Sequence, residues 1–145
     1  MKVLKKTPAI IKSRITAYIF CLILGAIFIL ASVGKIGNPE NFAKMVYNYK
    51  ILPLVFINII AIILPWIELL CAIGMVTWFF RKGSAAILSI MLVVFIVAIS
   101  IAISKDLNIE CGCFSVSGKG RTVGIAILIE DGIMLLMALR VLLLR

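Results

Sequence analysis

Apolar residues in this chain come in long unbroken blocks divided by short polar stretches, with neither a helical stripe nor a strand alternation dominating. Four blocks approach or exceed the roughly 20 residues a helix needs to cross a hydrocarbon core about 30 Å thick. They are 15–33, 54–80, 85–104 and 122–139. The pattern predicts an all-α integral membrane protein, a bundle of four transmembrane helices. The second block is over-long and contains Pro65, which predicts a kink or tilt there. The fourth is short and is interrupted by Glu130 and Asp131.

Two segments allow other readings. Lys2, Lys5, Lys6, Lys12 and Arg14 precede the first block, and Ala31 and Ser32 near its end could mark a cleavage site. Its apolar run exceeds the 7–15 residues of a signal peptide, so it is read as a retained helix. Between the first and second blocks, Asn38 can cap a helix whose first residue is Pro39. Phe42, Met45, Val46 and Tyr49 then share one face, which predicts a short amphipathic helix over 39–49 lying at the membrane surface. Such a helix either covers the end of the bundle or forms one wall of a site.

Composition agrees with the block pattern. Hydrophobic residues make up 64% and charged residues 14%, and the mean hydropathy is +1.25. At 145 residues, a single membrane domain over 1–145 is expected, with any large partner domain on a separate protein. The net charge of +9 lies in tails and short loops, not on a basic surface interleaved with aromatics. It therefore points to the lipid bilayer and to topology, and no nucleic acid is implied. With both termini in the cytoplasm, nine basic residues lie inside and six outside, so the positive-inside rule puts the loop before the fourth block on the extracytoplasmic face.

That loop holds the most distinctive chemistry. In "NIECGCFSVSGKG", Cys111 and Cys113 flank Gly112. In an oxidising compartment they can bond only if the backbone turns tightly, and Gly112 supplies that freedom. A ring this small is strained, and strain makes a disulfide exchangeable. As a staple it would add little, because the entropy a crosslink removes grows with loop length. The spacing thus favours thiol–disulfide chemistry over stabilisation. The competing reading is a soft-metal carrier, since two thiolates one residue apart can hold Cu(I) or Hg(II). With four cysteines and no histidine in the chain, a closed structural zinc site is disfavoured. A non-catalytic membrane scaffold is the third reading. Lys105, Lys119 and Arg121 would favour a thiolate here, while Asp106 and Glu110 would oppose it. Phe114 either packs the loop onto the bundle or anchors it at the interface.

Several polar or reactive residues fall inside the apolar blocks. Glu68 lies about 20 Å along a helix from Arg81, near mid-membrane, where an ionisable group is costly and should face the interior. It could accept a proton, partner a quinone carbonyl, or simply hydrogen-bond another helix. Glu130 and Asp131, being adjacent, cannot point the same way. Cys71 shares a helical face with Glu68. It and Cys21 are read as small hydrophobes in preference to a second redox pair, and Trp66 and Trp78 as packing and interfacial residues.

The segment "IECGCFS" after the third block resembles the Cys-Gly-Cys-Phe signature of the MauE family, which belongs with the DoxX-like four-helix membrane proteins. "SVGKIGNPENFAKMVYNYKILP" is similar to the family's lysine at the end of helix one and the aromatic outer segment that follows it. "LPWIELLCAIG" resembles its proline-to-glutamate stretch in helix two. The resemblance implies a redox-associated protein of the bacterial inner (cytoplasmic) membrane, supporting disulfide formation or exchange beside a thioredoxin-like extracytoplasmic partner. Carried over by position, Cys111 and Cys113 would be the redox pair, with Lys35 and Glu68 supporting it beside Gly112 and Phe114. Glu110 and Ser115 depart from the family's aspartate and glycine, which bears on substrate choice. An isoprenoid quinone between the helices is the candidate cofactor, with helix 39–49 as a lid and Glu68 handling protons. None of these features is specific to quinones, and a relay to another protein is the other route.

Overall fold

The computed structural model describes residues 7–106 and 124–143, and every regular element among them is a helix. These are α1 (Thr7–Gly37), α2 (Pro39–Asn48), α3 (Leu54–Val76), α4 (Arg81–Ser104) and α5 (Ile125–Leu143). α1 packs chiefly on α3 and α4 chiefly on α5. α3 also meets α4 and α5 meets α1, so these four helices form a closed ring, with α2 laid mainly on α3.

Three helices among the described residues are long and apolar enough to cross a membrane, over Arg14–Gly37, Leu54–Val76 and Arg81–Ser104. α5, with 19 residues that include Glu130, Asp131 and Arg140, is not one of them. Burial is inverted relative to a protein in water. Leu30 and Val55 are each 75% exposed, whereas Lys35, Glu68 and Asp131 are at most 1% exposed. Apolar side chains cover much of the outside while these three charged ones lie within, an arrangement that suits hydrocarbon surroundings.

The helix limits differ from those the blocks predict, for local reasons. α3 stops at Val76, not 80, because the backbone turns there. The Thr77 N–H bonds the Ile73 carbonyl at 2.9 Å, and Trp78 adopts a left-handed φ of 64°. A left-handed residue just past the last turn is a common way to end a helix, though glycine usually fills it. Here the aromatic side chain is held: the Arg81 guanidinium lies 4.3 Å from the Trp78 ring centroid, and Tyr18 meets the ring edge-on at 5.3 Å. α4 consequently starts at Arg81 instead of 85, and α5 runs later than 122–139.

α1 extends past 33 to Gly37 and so takes in Lys35. Lys35 pairs with Glu68, which lies about 14 residues into α3 and hence about 21 Å from its start. α1 therefore ends level with the middle of α3. α2 covers the half that α1 leaves bare, burying Phe42 and Met45 against Ala61. The helix expected over 39–49 is present as α2 and packs mainly on α3. Asn38 does stand at its N-cap with Pro39 next, but the Asn38 side chain makes no capping bond. On its exposed side Lys44 binds Glu40 at 2.8 Å and holds that carboxyl below the usual range.

Close approach of α1 and α3 depends on Gly25. A side chain there would run into Val76 and the Ala72 carbonyl. Small residues at such contacts let helix backbones pack tightly in membranes. Gly25→Leu is therefore expected to lower the thermal unfolding midpoint in detergent by several degrees, while Gly34→Ala, which meets nothing within 4 Å, leaves it in place.

Candidate functional site

The interior positions of three helices are spaced alternately by four and three residues. α1 contributes Ala17, Cys21, Leu24, Phe28, Ala31 and Lys35, and α5 contributes Ile127, Asp131, Met134, Ala138 and Val141. On α3 the buried set includes Ala61, Pro65, Glu68, Ala72 and Met75. This spacing keeps one stripe of each helix facing its neighbours. Lys35, Glu68 and Asp131 each occupy that stripe, so ordinary helix packing carries three ionisable groups into the bundle.

Lys35 Nζ donates to both carboxylate oxygens of Glu68, at 2.9 and 2.8 Å. The two side chains are 2% and 0% exposed. Phe42 of α2 and Phe95 of α4 flank the same ammonium, with ring centroids 5.2 and 5.4 Å from Nζ. Rings at that range offer a cation some electrostatic return for its lost water. Four helices thus converge on one charge: α1 supplies it, α3 neutralises it, and α2 and α4 enclose it. The pair also ties α1 to α3, and removing one partner would strip the other of its buried bidentate contact.

Asp131 completes the cluster from α5. It is 1% exposed, and its Oδ2 has no hydrogen-bond partner among the described residues. It lies within electrostatic range of Lys35 and of the Tyr49 hydroxyl at the end of α2. Burial, and secondarily the Asp131 carboxyl, pushes the Tyr49 phenol up to about 12. That hydroxyl stays protonated at physiological pH and remains a donor. Adjacent Glu130 is partly exposed, so the two acidic residues do face different ways.

An apolar pocket of about 340 Å³ opens between α2, α3 and α4. Phe42, Tyr49 and Phe95, the aromatic neighbours of the charged cluster, form part of its wall, together with aliphatic residues such as Met45, Leu64 and Met91. The face foreseen for α2 is this wall: Phe42, Met45, Val46 and Tyr49 all line the pocket.

The supporting residues foreseen from sequence, Lys35 and Glu68, are therefore in direct contact. Cys111, Gly112, Cys113 and Phe114 lie outside the described residues. Cys21 and Cys71 are buried free thiols in one apolar core with Leu24, Ala72 and Met75. Asp131 and Phe95 were not singled out as members of a site. The spacing of buried positions in α5 was the available signal for Asp131, while Phe95 had none, because its role depends on a cation from another helix.

These features define a helical membrane protein with a charged interior and an apolar pocket beside it. The profile of the family described as methylamine utilisation protein MauE matches residues 13–144, and the chain belongs to that family. It is 30% identical over 94 residues to the MauE protein of Paracoccus denitrificans, covering 64% of this chain and 50% of that one. With the MauE protein of Methylophilus methylotrophus it shares 30% over 93 residues, covering 63% and 49%. With that of Methylorubrum extorquens it shares 29% over 106 residues, covering 67% and 57%. The matched region thus spans about half the length of these relatives. No solved structure matches the chain.

Proposed function

We propose that this protein is a thiol–disulfide redox component of a methylamine utilisation system, working in the membrane on extracytoplasmic partners. The observation that carries the reading is the Cys-Gly-Cys sequence at Cys111 and Cys113, in the polar stretch between α4 and α5 of a MauE-family chain. In this reading α5 is a fourth span, both termini are cytoplasmic and the cysteine segment is extracytoplasmic. A thiolate on a thioredoxin-like partner attacks one sulfur of the oxidised pair. The intramolecular S–S bond breaks, a mixed disulfide forms and the other cysteine leaves as a thiolate. Attack by a second partner thiol, or by the freed cysteine, then resolves the mixed species forward or back. Gly112 supplies the backbone freedom that closing the pair would need.

Regenerating the disulfide requires a two-electron acceptor. An isoprenoid quinone is the acceptor the bilayer supplies: dithiol and quinone yield disulfide and quinol, with both electrons and both protons passing to the quinone. The apolar pocket beside α2 favours this route by offering room for a ring. Under anaerobic conditions, added quinone is then expected to reoxidise the reduced protein in detergent. If oxidation needs a thioredoxin-like protein and is indifferent to quinone, the protein is a relay.

Topology tests the reading first. A membrane-impermeant thiol reagent should label Cys111 and Cys113 in reduced intact cells and leave Cys21 and Cys71 unlabelled. Labelling only after the cytoplasmic side is opened would remove the oxidising compartment on which the chemistry depends.

A further inference from the structure

The interior cluster does not balance. Among the described residues it contains one ammonium, Lys35, and two buried carboxyl groups, Glu68 and Asp131. Glu68 takes two of the three N–H donors of Lys35, while one oxygen of Asp131 has no partner among the described residues. With both acids ionised the cluster would hold a net negative charge away from water, which is costly without a compensating partner. Among the described residues, no other group near it supplies the missing positive charge. α2 presents the Tyr49 hydroxyl, α3 presents the Cys71 thiol, and Glu130 of α5 adds further negative charge. α4 presents Phe95 and has no charged side chain from Gly83 to Ser104.

We propose that the Lys35–Glu68–Asp131 cluster is a proton-binding site that holds one exchangeable proton, carried by Asp131 while Glu68 stays ionised against Lys35. From sequence, proton acceptor was one of three roles open to Glu68, beside quinone partner and interhelical hydrogen bond, but its bidentate bond to Lys35 commits it to the charged form. Asp131 has the unpaired oxygen and a nearby phenol, Tyr49, that opens toward the apolar pocket's wall. This assignment stands whether or not Cys111 and Cys113 perform redox work.

Charge counting makes the proposal testable by infrared spectroscopy of the full chain in detergent or lipid nanodiscs at neutral pH. A protonated carboxyl shows a carbonyl stretch that an ionised one lacks. The wild type is expected to show one such band, shifted by carbon-13 labelling of aspartate and not of glutamate. Asp131→Asn removes the band. Glu68→Gln removes it too, because Asp131 must then ionise to balance Lys35. Lys35→Met doubles it, because both acids then bind a proton, and Glu130→Gln leaves it unchanged. Circular dichroism verifies that each variant folds, and the labelling experiment needs no variant. Absence of the band in the wild type overturns the proposal, as does a band that moves with glutamate labelling or survives Asp131→Asn.

Discussion

Replacing Lys35 with methionine is expected to destabilise the bundle by about 3–5 kcal/mol, and Glu68→Met by a similar amount. Each single change breaks a pair that is almost completely buried, 2% and 0% exposed, and forces the ionisable groups left in that dry interior to gain or lose a proton. The double variant Lys35→Met/Glu68→Met should recover most of the loss, because apolar residues of similar size can replace a buried pair at little cost. Thermal unfolding of the four proteins in one detergent, followed by circular dichroism, reads the cycle. A coupling near zero would mean that the pair does not hold α1 against α3. The double variant then offers a stable background in which the contribution of the charges to activity can be measured apart from folding.

The second large effect is on exchange itself. Cys111→Ser and Cys113→Ser should each abolish net disulfide transfer, since each removes one of the two sulfurs the catalytic cycle needs. Neither should lower the unfolding midpoint appreciably, because a crosslink across one residue removes little chain entropy. Cys21→Ala and Cys71→Ala should have the opposite profile. Both thiols are buried in the apolar core, so their loss should cost packing and leave exchange intact. A dithiothreitol titration of the wild type should find the pair easily reduced, as a strained and exchangeable bond would be.

Much of the scaffold can be read from hydropathy, because three of its helices are predominantly apolar segments of about the length a bilayer requires. Their limits were less legible. "TWFF" after Val76 is as apolar as the helix before it, and nothing in its composition announces the left-handed turn at Trp78. Lys35 looked like the end of a span because lysine usually sits at an interface. It belongs inside because its partner, Glu68, lies 33 residues away, and such a contact leaves no mark on local composition. Glu68 was recognised as costly and therefore inward-facing, and the resemblance to MauE drew attention to both residues without indicating that they touch. Asp131 shows the reverse. The adjacent acids had to face different ways, but choosing the buried one required the four-and-three spacing of α5 to be fixed against its neighbours. α2 was anticipated as an apolar face, yet its position along α3 follows from where α1 stops, which only the Lys35–Glu68 contact reveals.

The charged interior and the cysteine pair make separable contributions. The first bears on how the bundle closes and where a proton resides, and the second on what the protein does to its partners. The central functional claim therefore rests on the thiols and is best tested by trapping. Cys113→Ser and Cys111→Ser variants, expressed in cells and acid-quenched before alkylation, should be separated on non-reducing gels. The account predicts that one of the two accumulates a dithiothreitol-sensitive mixed disulfide with a thioredoxin-like extracytoplasmic protein, identified by mass spectrometry. Failure of both variants to trap a partner, with the wild type retaining stoichiometric Cu(I) or Hg(II) through Cys111 and Cys113, would contradict it and make the protein a soft-metal carrier.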